Sequence, residues 1–421
     1  MSRAAPQQEA LQNNVLKMIG PGLIVAASGI GAGDIIASTV GGAKYGLILL
    51  WAIAIGALLK CVLNEGIARW QLANGSTIIE GWEEQLPAWV LWYFALYLLL
   101  WTTAVSAALA GGCGLAIENL TGGAVPRAWA GIAHALIACA LVWMGGFSGF
   151  EKVMKVLIGT MFFSMLICAI ITFSMPLDVL KGLFVPIIPA GSSAYVLSLI
   201  GAVGGTVVML LYNYWLREKN MVGPSHVRFV RADLAIAYVF TAVFDIAVMM
   251  VANKAFHLGG IGITEKDAVP KMAEMLGSIV GPAGFYIYSL GFWAAVFASM
   301  LGCWQGIPYI FADTYGLLRK YPKRAQEEAT RARSRPYTAW LLLMTLVPIP
   351  FAFRNPLYLI ITFTIVSALF MPFLAATLLY VNNRVPWTSR VPKNSLLING
   401  MLVLIFVVFV AVGVREVIAA F

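Results

Sequence analysis

PGLIVAASGIGAGDIIASTVGG, running from Pro21 to Gly42, decides how the rest of this chain is read. The segment is apolar over the length of about 20 residues that a helix needs to cross a bilayer. Its centre reads Ser28-Gly29-Ile30-Gly31-Ala32-Gly33-Asp34. The glycines at 29, 31 and 33 each weaken a helix by roughly 1 kcal/mol relative to alanine. A carboxylate follows the last of them. An aspartate at that depth costs roughly 2.5–3.5 kcal/mol to insert, so its presence points to function. A glycine-broken helix with a charge at mid-membrane is how secondary transporters form an ion or substrate site.

The composition supports this reading. The chain has 421 residues, 61% of them hydrophobic and 11% charged, with mean hydropathy +0.85. A soluble protein of this length cannot bury so much apolar surface, and a β-barrel would show short alternating segments instead. The expected class is an all-α, integral membrane protein. In a soluble chain the net charge of +9 would suggest nucleic acid. Here it orients helices in the membrane, and no nucleic-acid partner is expected. The tail of residues 1–14 is polar and lacks a signal-peptide core, so the first span is expected to be an uncleaved anchor. Cys61, Cys113, Cys139, Cys168 and Cys303 lie in apolar segments without ligand spacing and read as small core residues.

Working outward, eleven spans are predicted: 15–40, 45–70, 88–117, 127–147, 152–175, 192–216, 232–256, 283–317, 337–354, 356–381 and 395–418. The eighth is long enough to suggest an extra-membrane turn. With the N-terminus in the cytoplasm, nineteen lysines and arginines fall inside and eight outside. That asymmetry supports a cytoplasmic N-terminus and an outside C-terminus. The expected location is the inner membrane of a bacterium. The basic run Arg319 to Pro336 reads as a solvated cytoplasmic loop that enforces this topology.

The sixth span breaks again, at Gly201, Gly204 and Gly205, followed by Thr206, Met209 and Asn213. It lies five spans after the first. Interrupted helices at matching places in two five-helix halves are the sequence mark of an inverted-repeat transporter. The halves would be residues 15–175 and 190–381, with 395–418 a peripheral eleventh helix.

With these residues in view, the chain resembles the Nramp family of divalent-metal transporters. Gly20-Pro21-Gly22 and Gly41-Gly42-Ala43-Lys44-Tyr45-Gly46 resemble the start and end of that family's first helix. Phe150-Glu151-Lys152, Gly182-Leu183-Phe184-Val185-Pro186 and Leu199-Ile200-Gly201 resemble later junctions and the sixth helix. The resemblance runs over nearly the whole chain and implies the LeuT-type fold, with eleven helices in a 5+5 inverted repeat and discontinuous helices 1 and 6. Where the family carries Asp-Pro-Gly-Asn, this chain reads Gly31-Ala32-Gly33-Asp34, with the carboxylate moved to the last position. Where the family carries Met-Pro-His, it reads Val208-Met209-Leu210. The third helix has no acid before Glu118. The pattern is similar to a divergent branch that includes magnesium transporters, and it implies weak proton coupling.

The expected cargo is a divalent cation of the Mg²⁺/Mn²⁺ class, with Fe²⁺ favoured only if sulfur reaches the site. The cation is cargo, and no cofactor is expected. Asp34 supplies charge, while backbone carbonyls near Gly31 and Gly204 and the side chains of Thr206 and Asn213 supply neutral oxygen. Oxygen and retained water make a hard site. Met209 is the soft candidate. Glu65, Asp245 and Asp313 are intramembrane acids assigned to a gate or ion path, the last two without a partner nearby in sequence. Glu65 and Arg69 sit four apart and pair on one helical face. His134 reads as a hydrogen-bonded packing residue. The expected partners are the cation and the lipid bilayer, with the chain acting as a monomer. The alternative on the same fold is a carrier of small organic solutes or organic cations. A membrane-embedded enzyme has no nucleophile–base pair to support it, so none is expected.

This topology is checked by labelling. With Glu327→Cys in the basic loop, an impermeant maleimide is expected to react in inside-out vesicles and not in intact cells. Labelling of intact cells would reverse the orientation.

Overall fold

A computed structural model describes residues 20–420, except 174, 222, 265–266, 355–358, 361, 364–365, 368 and 385–392. The tail 1–14, the start of the first span and parts of the tenth therefore lie outside the described residues. Among those described, the secondary structure is helical.

The first span is two helices, α1 (Pro21–Gly29) and α2 (Ala32–Tyr45), bent by 63° across Ile30 and Gly31. Proline at the first position of α1 needs no amide partner, which sets that start. Next come α3 (Leu50–Asn74), α4 (Ile78–Gln85) and α5 (Trp89–Leu120). Thr77 and Glu80 form a reciprocal capping box at the start of α4. The fourth and fifth spans form one assigned helix, α6 (Arg127–Thr172), kinked at Gly146, whose φ of 56° only glycine adopts readily. Its 46 residues would extend roughly 69 Å, over twice the hydrocarbon thickness, so the kink divides two spans.

After the short α7 (Pro176–Phe184), the sixth span consists of α8 (Ser193–Ala202), a 3₁₀ turn (Val207–Leu210) and α9 (Leu211–Glu218). Then follow α10 (Val227–Ala252), α11 (Ala268–Val280) and α12 (Pro282–Leu318). The last are α13 (Lys323–Ala329), α14 (Arg335–Leu346), α15 (Pro348–Phe351), α16 (Phe370–Arg384) and α17 (Leu396–Ala420). By length and composition, six described helices can cross a membrane, and the bent α1–α2 pair makes seven.

The eighth span departs from expectation. It has no extra-membrane turn: α12 is continuous over 37 residues with Pro308 inside it. Neighbours on several sides bury most of it and keep it helical past the proline. The sequence reading also passed over α11, whose 13 residues are too few for a span. One face of α11 is buried through Val269, Met272, Ala273 and Leu276.

Polarity is arranged inside out. Trp89, Trp92, Leu96 and Leu100 of α5 and Phe163 and Ile170 of α6 are exposed, whereas Asp34, Lys60, Asn64, Asp245 and Asp313 are buried. Lipid accepts the former, and only protein partners can satisfy the latter. Helix α12 packs on α1, α5, α6, α11 and α14, and α10 packs on α1, α2, α3 and α6. The two interrupted spans meet between these walls.

They meet backbone to backbone. A Cβ on Gly29 would lie 2.5 Å from the carbonyl carbon of Gly204 and 2.9 Å from the amide nitrogen of Gly205. A Cβ on Gly205 would lie 2.8 Å from Gly29 Cα. Gly204 and Gly205 both have positive φ, 76° and 72°. No side chain fits between the two breaks. Gly29→Ala is therefore expected to cost about 1–3 kcal/mol, because the backbone itself must move. Gly149→Ala, with open space around it, is expected to be neutral or stabilising. Thermal unfolding in detergent compares the two.

Candidate functional site

The site begins with what a broken helix leaves unpaired. Helix α1 closes with the Ile30 amide donating to Ala26 O at 3.0 Å, and α2 restarts at Ala32 after an extended Gly31. The first amides of α2 have no helical acceptor. Asp34, in the first turn, reaches back so that its Oδ2 accepts from the Gly31 amide at 2.8 Å. A carboxylate there also faces the positive end of the helix dipole. Asp34 is thus a helix cap, yet that function uses one oxygen. Its Oδ1 is buried with no hydrogen-bond partner among the described residues.

That aspartate faces a cavity of about 20 Å³ whose wall includes Trp101, Gly205, Thr206, Ser299 and Cys303. The volume suffices for one water-sized particle, which needs about 10–15 Å³. Thr206 Oγ1 is buried without a hydrogen-bond partner among the described residues. Ser299 Oγ donates to Ser28 O at 2.8 Å and satisfies one carbonyl at the end of α1. The wall therefore offers a carboxylate, the hydroxyls of Ser28, Thr206 and Ser299, and a thiol, framed by two stretches of irregular backbone.

Two further charges lie close behind. Helix α10 comes so near α2 that a Cβ on Gly42 would stand 2.6 Å from Met249 O. One turn before Met249 is Asp245, fully buried, with neither carboxylate oxygen hydrogen-bonded among the described residues. From α3, the buried Lys60 sends its ammonium into the second break, where it donates to Gly201 O at 3.1 Å and to Gly205 O.

The other predicted residues are distributed differently. Gly31 and Thr206 are on the cavity wall; Gly204 is not, and Gly205 takes that place. Met209 is fully buried in the 3₁₀ turn, but Val208 faces the cavity instead, because the tighter turn rotates its neighbours by more than an α-helical step. Asn213 sits off the wall, with Nδ2 donating to Ile67 O of α3 at 3.4 Å. Glu65 pairs with Arg69 at 3.2 Å and with Arg231 at 2.9 Å, beside a separate cavity of about 510 Å³. Asp313, read from sequence as unpartnered, accepts from Thr77 at 2.8 Å, Tyr214 at 2.7 Å and Gln326 at 2.6 Å. It ties together the ends of α4, α9, α12 and α13, away from the cavity. His134 packs as expected, its Nε2 accepting from Trp293 at 3.0 Å and its Nδ1 facing Ala130 O at 2.8 Å.

Sequence reasoning missed Lys60, Asp233, Ser299 and Cys303. Lys60 satisfies the same rule as Asp34, an ionisable group inside a span, but its hydrogen-bond partners lie 141 and 145 positions further along the chain. Asp233, at the edge of the seventh span, accepts from the Gly22 amide and from Tyr212 Oη, each at 2.8 Å. Ser299 and Cys303 lie four apart, on one face of α12, a spacing that small residues at many positions there concealed.

Residues 22–419 match the model of the Nramp, natural resistance-associated macrophage protein-like, family. The chain is similar to the divalent metal cation transporter MntH of Bacillus subtilis, 25% identical over 317 residues, 70% of this chain and 72% of that one. It is also similar to MntH of Erwinia tasmaniensis, 23% identical over 312 residues, 71% of this chain and 73% of the relative. Among solved structures, the manganese transporter of Eremococcus coleocola in complex with an aromatic bis-isothiourea compound superposes with TM-score 0.76 at 18% identity, over 99% of this chain and 88% of that one. A nucleobase-cation-symport-1 family transporter, closed on a bound hydantoin, superposes with TM-score 0.57 at 13% identity, over 96% of this chain and 93% of that one. These likenesses show the fold, the LeuT-type arrangement expected from the sequence.

The position of Asp313 leads to a stability prediction. Asp313→Asn leaves one oxygen for three donors and is expected to cost about 1–3 kcal/mol in thermal unfolding. Mn²⁺ binding to the folded variant is expected to be unchanged, and weakened binding would return Asp313 to the ion path.

Proposed function

The chain belongs to the Nramp family, and from that membership we propose that it carries a divalent metal cation across a membrane by alternating access around Asp34. The observation that carries the reading is the buried Asp34 Oδ1, unpaired beside two touching helix breaks and facing a cavity of about 20 Å³. A carboxylate oxygen held in that way is a cation ligand at low cost, since no described residue gives it a hydrogen bond. Thr206 and freed backbone carbonyls add neutral oxygen. This is a hard donor set for the Mg²⁺/Mn²⁺ class. Cys303, rather than Met209, is the sulfur on the wall, and it favours Mn²⁺ or Fe²⁺ over Mg²⁺ to the extent that it reaches the ion.

Transport is read as uptake into the cytoplasm, in an inner membrane, with the N-terminus inside. The membrane potential alone drives it, by about 2.3 kcal/mol per charge for each 100 mV. Strict proton coupling is not part of this reading. The third helix carries no acid before Glu118.

The second reading is a carrier of small organic solutes, and the likeness to a nucleobase-cation-symport transporter is its support. The size of the cavity opposes it. Pockets for organic ligands occupy about 300–1,000 Å³, more than ten times the room beside Asp34.

Uptake into proteoliposomes separates these readings. The full chain is expected to accumulate Mn²⁺ or Mg²⁺ under a negative-inside potential, with internal pH following the metal loosely. Asp34→Ala is expected to lower the rate by about tenfold or more, on the scale of one lost charged interaction. A wild type that moves neither metal, or an Asp34→Ala variant that moves them unimpaired, would sink the cation site.

A further inference from the structure

We propose that the Lys60 ammonium is a built-in cation of the second helix break, taking the place of a co-bound inorganic cation, so that the dication is carried without a mobile monovalent co-ion. The proposal rests on the reading of Asp34 as a cation site and adds a second charge position to it.

The argument starts from the carbonyls. At the end of α8, the Gly205 amide donates to Ala202 O and not to Gly201 O, the acceptor that a continuing helix would use. Gly201 O is thereby released, and beyond it Gly205 O belongs to a residue with φ of 72° outside any helix. Two carbonyl oxygens at the negative end of a half-helix, with a carboxylate nearby, make a ligand set for a monovalent cation. In this chain the cation at that position is Lys60, which donates to both carbonyls and is only 1% exposed. The break it occupies packs directly on Gly29 of the first break, whose restarting helix is capped by the Asp34 carboxylate.

The charge arithmetic of the site follows. The ammonium is fixed on the second break, and the Asp34 carboxylate caps the first, which packs against it. Without the ammonium, that carboxylate and the freed carbonyls would draw in a monovalent cation together with the dication. A tethered ammonium supplies that charge permanently, with its translational freedom already lost to the chain. Lysine also suits the place geometrically. Its flexible four-carbon stem crosses from α3 among apolar neighbours while the head makes several hydrogen bonds. A lysine serving only to cap α8 would make the same two hydrogen bonds, so the distinction between cap and co-ion requires a measurement of ion dependence.

The experiment uses the full chain in proteoliposomes, with Mn²⁺ uptake measured in choline, Na⁺, K⁺ and methylammonium media. Wild-type uptake is expected to be equal in all four. Lys60→Gln, which keeps a donor of similar reach without charge, and Lys60→Ala are expected to lose about tenfold in choline. Both are expected to recover when Na⁺, K⁺ or methylammonium is present, and Lys60→Arg to retain most uptake in choline. Thermal unfolding establishes that each variant is folded. Three results would overturn the proposal: neutral variants as active as wild type in choline, a loss in folded variants that no monovalent cation reverses, or a wild type that itself requires Na⁺ or K⁺. The last stands even if the variants do not fold. A wild type that moves no dication in any medium would instead count against the cation site at Asp34.

Discussion

Two stretches of bare backbone press against each other at the centre of this protein, Gly29 against Gly204 and Gly205. Much of the surrounding arrangement follows from that contact. Backbone can approach backbone so closely only where neither residue carries a Cβ, and the positive φ angles of Gly204 and Gly205 add a second reason for glycine. The contact interrupts both helices at the same depth. Each interruption releases amides and carbonyls in a place that lipid cannot hydrate, so each must be met by a side chain. Asp34 meets an amide, Ser299 meets a carbonyl and Lys60 meets two more. The polar centre is thus the direct outcome of packing two broken helices.

The long helices around it exist to make that centre affordable in physical terms. Helix α12 brings Ser299 and α3 brings Lys60 to the breaks, and the outer helices turn tryptophan, leucine and phenylalanine towards lipid. Interior polarity and exterior apolarity reverse the soluble pattern. They place polar groups where partners from other spans can reach them. Asp313 shows the same logic in a structural setting: three donors from three segments converge on one carboxylate. Asp245 differs: it is equally buried, yet neither of its carboxylate oxygens has a hydrogen-bond partner among the described residues.

Most of the architecture was legible in the sequence because bilayer thickness sets the length of a span and glycine marks a break. The interrupted first and sixth spans, the division of α6 and the depth of Asp34 all follow from those two rules. The details of the site were less legible, for definite reasons. Met209 and Val208 exchange positions because a 3₁₀ turn follows the break, and no residue type announces that local tightening. Asn213 faces α3, since the helix restarts with a rotation that a continuous-helix reading does not contain. Lys60, Ser299 and Cys303 come from helices distant in sequence, so only packing brings them to the breaks. Asp313 looked free because its partners lie 236, 99 and 13 positions away in the chain.

Helix α1 is short, nine residues, and joined to α2 through two non-helical residues. Mechanically it is a stiff arm of about 13 Å on a hinge. Turning it by about 20° sweeps the far end through roughly 5 Å while the hinge hardly shifts. The Asp233 carboxylate grips that far end, through the Gly22 amide, with Tyr212 steadying the grip. A restraint placed where the travel is greatest resists rotation with the longest moment arm. A single hydrogen-bonded carboxylate at the tip therefore governs the angle of the arm more effectively than the same bond would beside the cation site.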